Sequence, residues 1–251
     1  SISDYPYSSF MTEKNATPPA VAPPESDHRA RTGAARREAT RAKLLSAAVR
    51  VFAEKGLDAP QIDDFIAAAG VARGTFYNYF KTSAEVLDVV AAELTDEVLY
   101  TIESHVKYLD DPLVRIVTAC RLYMRTAIDH PAWGAFVTHS ATRRGATGRL
   151  VNVYIPRDLT LALEQGLVQF PSVLAARDLL LGSIRMAAAS ELSGAVPNDH
   201  VDEVIKLVLK ALGVKAAKLR SVCALPLPEL ELPPAIKLLH GEAPHAQALH
   251  S

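Results

Sequence analysis

The sequence predicts an all-α chain, with a small three-helix head containing a helix-turn-helix and a larger helical domain after it. Three observations lead there. Apolar residues fill 49% of the 251 positions but aromatics only 6%, so the core must be built from Ala, Leu and Val, a bias that suits helices better than sheets. After Arg36, apolar positions recur every three or four residues. Glycines follow, and prolines open, segments of helical length.

Residues 1–35 are rich in Pro, Ser, Ala and Thr, and "TPPAVAPPES" cannot be helical because each proline fixes φ and removes a donor. They read as a flexible arm closed by the basic cluster "RARTGAARRE". Met11 before "TEK" reads as a natural start, with residues 1–10 a leader or cloning remnant. From Arg36 a first helix places Leu44, Leu45, Ala48, Val51 and Phe52 on one face and ends at Gly56. A second fits "PQIDDFIAAAG", with Pro60 in its first turn, Gly70 after its end, and Ile62, Phe65, Ile66 and Ala69 inward. A turn leads to a third helix, from Ala72 or Arg73 through Tyr79. The fourth is "SAEVLDVVAAELTDEVLYTIESHV", capped by Thr82 or Ser83 with Glu85 in its first turn.

The stretch "GVARGTFYNYF", residues 70–80, holds four aromatics, two glycines and an arginine. Phe76 and Phe80 lie four apart, share a face with Val71, and are expected to be buried. Arg73, Thr75, Tyr77, Asn78 and Tyr79 fall on the remaining surface, kept low by Gly74. An aromatic core corner is the alternative, but a short helix apolar all round needs a large enclosing protein. Arg matches guanine edges and Asn adenine edges, while Thr and Tyr hydroxyls suit phosphate oxygens. Charge points the same way: from Arg29 to Lys81 there are ten Lys or Arg against five Asp or Glu, although the whole chain has a net charge of −1.

With "LLSAAVRVFAEKG", "AGVARGTFYNYF" and the "EVL" opening the fourth helix, residues 36–88 resemble the DNA-binding domain of the tetracycline-repressor (TetR) family. The resemblance implies a ligand-responsive repressor that binds a palindromic DNA operator as a homodimer. It implies DNA contacts from Arg73, Gly74, Thr75, Tyr77, Asn78 and Tyr79, with Lys81 reaching a phosphate. Arg29, Arg31, Arg36 and Arg37 of the basic arm are candidates for further contacts, or else a solvated tail. Two departures stand out. Ser83 occupies a position where the family commonly has a phosphate-gripping lysine, and Pro60-Gln61 stands where a Thr or Ser usually caps the second helix. The acidic pair Asp63-Asp64 would repel phosphates unless it faces away.

The second domain is expected over residues 89–213, and a Pro-rich extension over 214–251. Its first helix starts at the Asp111 cap with Pro112 and ends at His130-Pro131. A helix-like "AWGAFVTHSATRR", a break at "GATG" and a helix over about 152–165 follow. The last two long helices, about 171–193 and 198–212, are apolar with small residues at Ala187, Ala188 and Ala189. By the resemblance they pair across a twofold axis. Pocket candidates are Tyr123, Met124, Trp133, Phe136, Tyr154 and Met186, with Arg121, Arg125, His139 and Arg143 as polar anchors. A cation inside an apolar pocket would favour an acidic or phenolic effector.

Enzyme chemistry is not expected. The eight histidines show no HExxH spacing, and GxSxG, GxGxxG and phosphate-loop motifs are absent. Cys120 and Cys223 lack metal or disulfide spacing and suit a reducing cytoplasm. No cofactor, metal or membrane partner is implied. An effector-independent architectural or adaptor DNA-binding protein of the same fold is the alternative. "LPLPELELPP" in the tail reads as an extended apolar arm that crosses a partner subunit or covers a pocket.

Overall fold

Good helix formers extend the first helix well ahead of its apolar stretch. In the computed structural model, which describes residues 25–139, 148–197 and 199–239, α1 runs Glu25–Lys55. The sequence reading starts this helix at Arg36. Residues 31–39 show no apolar periodicity because every one is solvent-exposed, and Ala, Arg and Glu there are good helix formers. The described residues up to Thr40 fall in one unit and those from Arg41 in another, larger one. Residues 1–24 lie outside the described residues, and they take in all of "TPPAVAPPES" but Glu25 and Ser26, which open α1 although the sequence reading makes the stretch non-helical.

The larger unit continues with α2 (Ile62–Ala69), α3 (Arg73–Tyr77), α4 (Ser83–Val106), α5 (Pro112–Asp129), α6 (Pro131–His139), α7 (Val151–Glu164), α8 (Val173–Leu192), α9 (His200–Ala211), α10 (Ala216–Cys223) and α11 (Pro234–Leu239). All regular structure among the described residues is helical. No described helix is long and apolar enough to cross a membrane.

Helix ends follow local chemistry. Thr82 caps α4 by accepting from the Glu85 amide at 3.1 Å, and Asp111 caps α5 by accepting from Leu113 N at 2.9 Å. With no Thr or Ser available, α2 is closed differently: the Gln61 amide donates to Asp64 Oδ2 at 2.8 Å. Gly70 ends α2 at φ 56°, a left-handed conformation that any side chain would strain. Asp96 of α4 accepts from Leu150 N at 2.8 Å and so holds the start of α7. The preceding Gly148 is required there, since a Cβ would collide with Asp96 Oδ1.

A chain of rings ties the head together. Phe52 of α1 lies 5.3 Å from Phe65 of α2, Phe65 stacks on Phe76 of α3 at 6.3 Å, and Phe76 meets Phe80 at 5.7 Å. Phe52 also meets Phe136 of α6 edge-on at 5.5 Å. Within the remainder, α5 is central and packs against α4, α6, α7, α8, α9 and α10, while α8 and α9 lie side by side. The sequence boundary near residue 89 falls inside α4, which runs through both regions. In the tail, the "LPLPELELPP" stretch stays free of helix over 225–233, and Leu227, Leu230 and Leu232 pack against the core. Before it α10 packs on α9 and α5, and after it α11 packs on α6 with Ile236 fully buried.

Phe76→Ala should cost about 3–5 kcal/mol, because it removes the middle ring of this chain. Urea denaturation followed by circular dichroism checks it. A loss under about 1 kcal/mol would mean the head tolerates the cavity.

Candidate functional site

Helix α3 is short because its last residues tighten into a turn: Asn78 N donates to Thr75 O at 3.2 Å and Tyr79 N to Phe76 O at 2.9 Å. Phe76 and Phe80 are buried, while Arg73, Gly74 and Asn78 are exposed. Thr75, Tyr77 and Tyr79 are half-buried, and the two tyrosine rings pack one edge against the core. A Cβ at Gly74 would meet nothing, so the surface there is open to close approach.

The acidic pair at the start of α2 is neutralised residue by residue. Arg73 Nη1 lies 3.0 Å from Asp63 Oδ1, and its guanidinium sits over the Tyr77 ring at 5.9 Å. Tyr77 first, then Asp63, raise the arginine's pKa. Lys55 Nζ lies 2.7 Å from Asp64 Oδ1, and together with the Gln61 amide it lowers the Asp64 carboxyl. Lys81 is held as well: its Nζ donates to Tyr77 O at 2.7 Å and its amide to Glu85 Oε2 at 2.7 Å. Ser83 is the first residue of α4 and is half-buried.

The second feature is a cavity of about 60 Å³ among α4, α5, α7 and α8. At about 10–15 Å³ per water it holds roughly four to six water molecules, the scale of one small ring. Its wall is apolar, with Ile102 and Val106 of α4, Ile116 of α5, Ile155 of α7 and Ile184 of α8. Of the pocket candidates, Tyr123, Met124 and Tyr154 line it. Burial raises the pKa of both tyrosine phenols, and the Tyr123 hydroxyl lies 3.4 Å from Thr95 Oγ1.

Five other candidates lie elsewhere. Arg121 pairs with Asp202 of α9 at 3.0 Å and donates to the Leu225 carbonyl at 2.7 Å, so it anchors the tail. Arg125 is exposed and pairs with Asp129 one turn on. Trp133 and Phe136 are core residues, against Tyr123 and Phe52 respectively. Met186 faces solvent at 69% exposure. The His139 side chain and Arg143 lie outside the described residues.

Sequence reasoning missed the charged rim. Asp158 of α7 is buried and receives Arg115 at 2.9 Å and Arg157 at 2.9 Å, while Arg157 also grips Glu103 of α4 at 2.6 Å. Arg185 of α8 also lines the cavity. Its signal was present as a lone charge in "GSIRMAAAS". Periodicity marks apolar faces, but it does not distinguish a face that borders a void from one that meets a neighbour. Among the described residues no group of three His, Cys, Asp or Glu is placed to hold a metal.

Cys120 lies on the cavity wall, and burial pushes its thiol up from 9.0 to about 12. At pH 8 it should resist a thiol reagent in the folded protein while Cys223, half-exposed on α10, reacts. Unfolding should then release the second thiol. The unfolded thiol ionises near 9.0, so stability is kept below that pH and lost as pH rises toward 12. Mass spectrometry of the labelled protein checks the order, and equal labelling rates would contradict the burial.

Residues 44–90 match the model of the tetR family of bacterial regulatory proteins. The HTH-type transcriptional regulator YvdT of Bacillus subtilis (strain 168) is 42% identical over 57 residues, 23% of this chain and 29% of that protein. SrpR of Pseudomonas putida, also an HTH-type transcriptional regulator, is 40% identical over 63 residues, 25% of this chain and 30% of that one. The match thus spans less than a third of the length of either curated relative. The crystal structure of RolR in complex with resorcinol is similar over 79% of this chain and 100% of that one, with a TM-score of 0.66 and 28% identity. Both sequence relatives are transcriptional regulators rather than enzymes. The matched segment holds α2, α3 and the rings from Phe52 to Phe80, so the likeness to the tetR family of bacterial regulatory proteins is carried in sequence by this head.

Proposed function

We propose that the chain is a ligand-responsive transcriptional repressor that holds a palindromic DNA operator and releases it when a small molecule fills the cavity. The observation that carries this reading is α4. Its first half supplies Val86, Leu87 and Val90 to the buried core that also holds Phe76 and Phe80, and its second half supplies Ile102 and Val106 to the cavity wall. A ligand that favours one position of α4 then biases the reading head, provided it binds that position more tightly. A relative of similar fold crystallised with resorcinol supports an effector of about one ring. A cavity built onto α4 has no use in an effector-independent adaptor.

In this reading Arg73 and Asn78 read base edges, Thr75, Tyr77 and Tyr79 hold phosphates, and Gly74 allows close approach. Lys81 reaches a phosphate after leaving the Tyr77 carbonyl. Arg36 and Arg37 add phosphate contacts. The homodimer forms through α8 and α9, where Leu174, Leu179, Met186 and Leu207 are exposed large apolar side chains. Two reading heads about 34–36 Å apart then meet successive major grooves.

Arg73→Ala should cost about 1–3 kcal/mol at one base position and relax preference there. The Arg36→Ala/Arg37→Ala pair should weaken all sequences alike and lower the salt slope by about 2. Fluorescence anisotropy on a selected operator and its single-base variants, across a salt series, reads both. A uniform loss for Arg73→Ala would reassign that residue to phosphate. Met186→Glu should shift the protein from dimer to monomer in sedimentation velocity. An unchanged dimer would move the interface away from α8.

A further inference from the structure

We infer that the effector is a small monocarboxylate whose acid group is held by Arg185. The inference rests on the proposed effector role of the cavity and adds the chemistry of the ligand. Among the described residues, the charges around the cavity wall are paired except at Arg185. Arg115 and Arg157 together meet Asp158 and Glu103 at 2.6–2.9 Å, so two cations and two anions cancel. Asp96, behind Tyr123, is met by Arg149 at 3.3 Å. Arg185 is left over: it has no carboxylate partner among the described residues, although it is half-buried.

Its position suits an anchor. Arg185 and Leu181 line both the cavity and an outer cleft with Asn152, Arg177, Asp178 and Gly182. The one carboxylate in that cleft, Asp178, is already held by Arg177 at 2.7 Å. On the cavity side Arg185 faces the Tyr123 phenol, whose ionisation it favours against the larger effect of burial. A ligand with an apolar body of about six heavy atoms would fill the space of roughly five waters and leave its head at Arg185. A carboxylate there takes two parallel N–H donors from the guanidinium and supplies the missing counter-charge. A neutral amide of the same shape would fill the cavity equally well and leave the cation unpaired. Discrimination between acid and amide therefore isolates the role of Arg185 from that of the cavity.

Isothermal titration of the full-length protein with benzoate and butyrate, each against its amide, benzamide or butyramide, tests the inference. At least one acid should bind ten times or more tighter than its amide. Arg185→Met should remove that preference while leaving amide affinity and the melting temperature unchanged, and Arg185→Lys should keep part of it. Equal binding of acid and amide, or acid binding untouched in Arg185→Met, would overturn the assignment and leave the cavity as a neutral-ligand site. Failure of all four compounds to bind would overturn it too. In that case, failure of uncharged phenol and resorcinol to bind or to release the operator would also remove the effector reading.

Discussion

The structure depends on one run of aromatic contacts. From Phe136 through Phe52 and Phe65 to Phe76 and Phe80, five rings meet at centroid distances of 5.3–6.3 Å. Helix α3 is far too short to be stable alone, since helices below about 12–15 residues are marginal in water. It exists because Phe76, with Phe80 against it, fixes it to Phe65 of α2, which in turn meets Phe52 of α1. The exposed residues of α3 are thereby held on a rigid base, and the ring at Phe136 extends that base to α6. Burying 150–250 Å² per ring, this run carries a large share of the head's apolar stabilisation.

Helix α4 gives the arrangement its direction. It is capped at Thr82 beside the reading surface and ends at Val106 beside the cavity. Midway, Asp96 holds the start of α7, which supplies Tyr154, Ile155 and Asp158 to the cavity wall. Protein interiors are close-packed and barely compressible, so in the proposed function a displacement at one end of α4 would be carried along it rather than absorbed. The ion pair between Arg41 of α1 and Glu93 of α4, at 2.8 Å, ties the same helix to the ring-bearing α1.

Much of this was legible in the sequence. The turn at Gly70, the buried pair Phe76 and Phe80, and the caps at Thr82 and Asp111 all follow from local rules that tertiary context did not override. The start of α1 was hidden because a fully exposed helix leaves no apolar period. The cavity was hidden for a different reason. Trp133, Phe136 and Tyr123 look alike in sequence, and only the assembled helices decide which of them borders empty space. Met186 resembles a core residue for the same reason: an exposed apolar side chain reads the same as a buried one.

The charges at α3 could be taken as an obstacle, since Asp63 already occupies Arg73. Magnitudes decide otherwise. The pair is exposed on both sides, at 63% and 72%, and exposed ion pairs are worth about 0–1 kcal/mol. A bidentate contact to a guanine edge is worth about 1–3 kcal/mol. In the proposed DNA complex Arg73 would therefore gain by exchanging Asp63 for a base, and a wrong base would return it to the carboxylate at little cost. Asp63 is then less a barrier to DNA than a resting partner. It pairs with the guanidinium that lies over the Tyr77 ring. Asp64 plays no such part, because Lys55 and the Gln61 amide hold it in the α2 cap whether or not DNA is present.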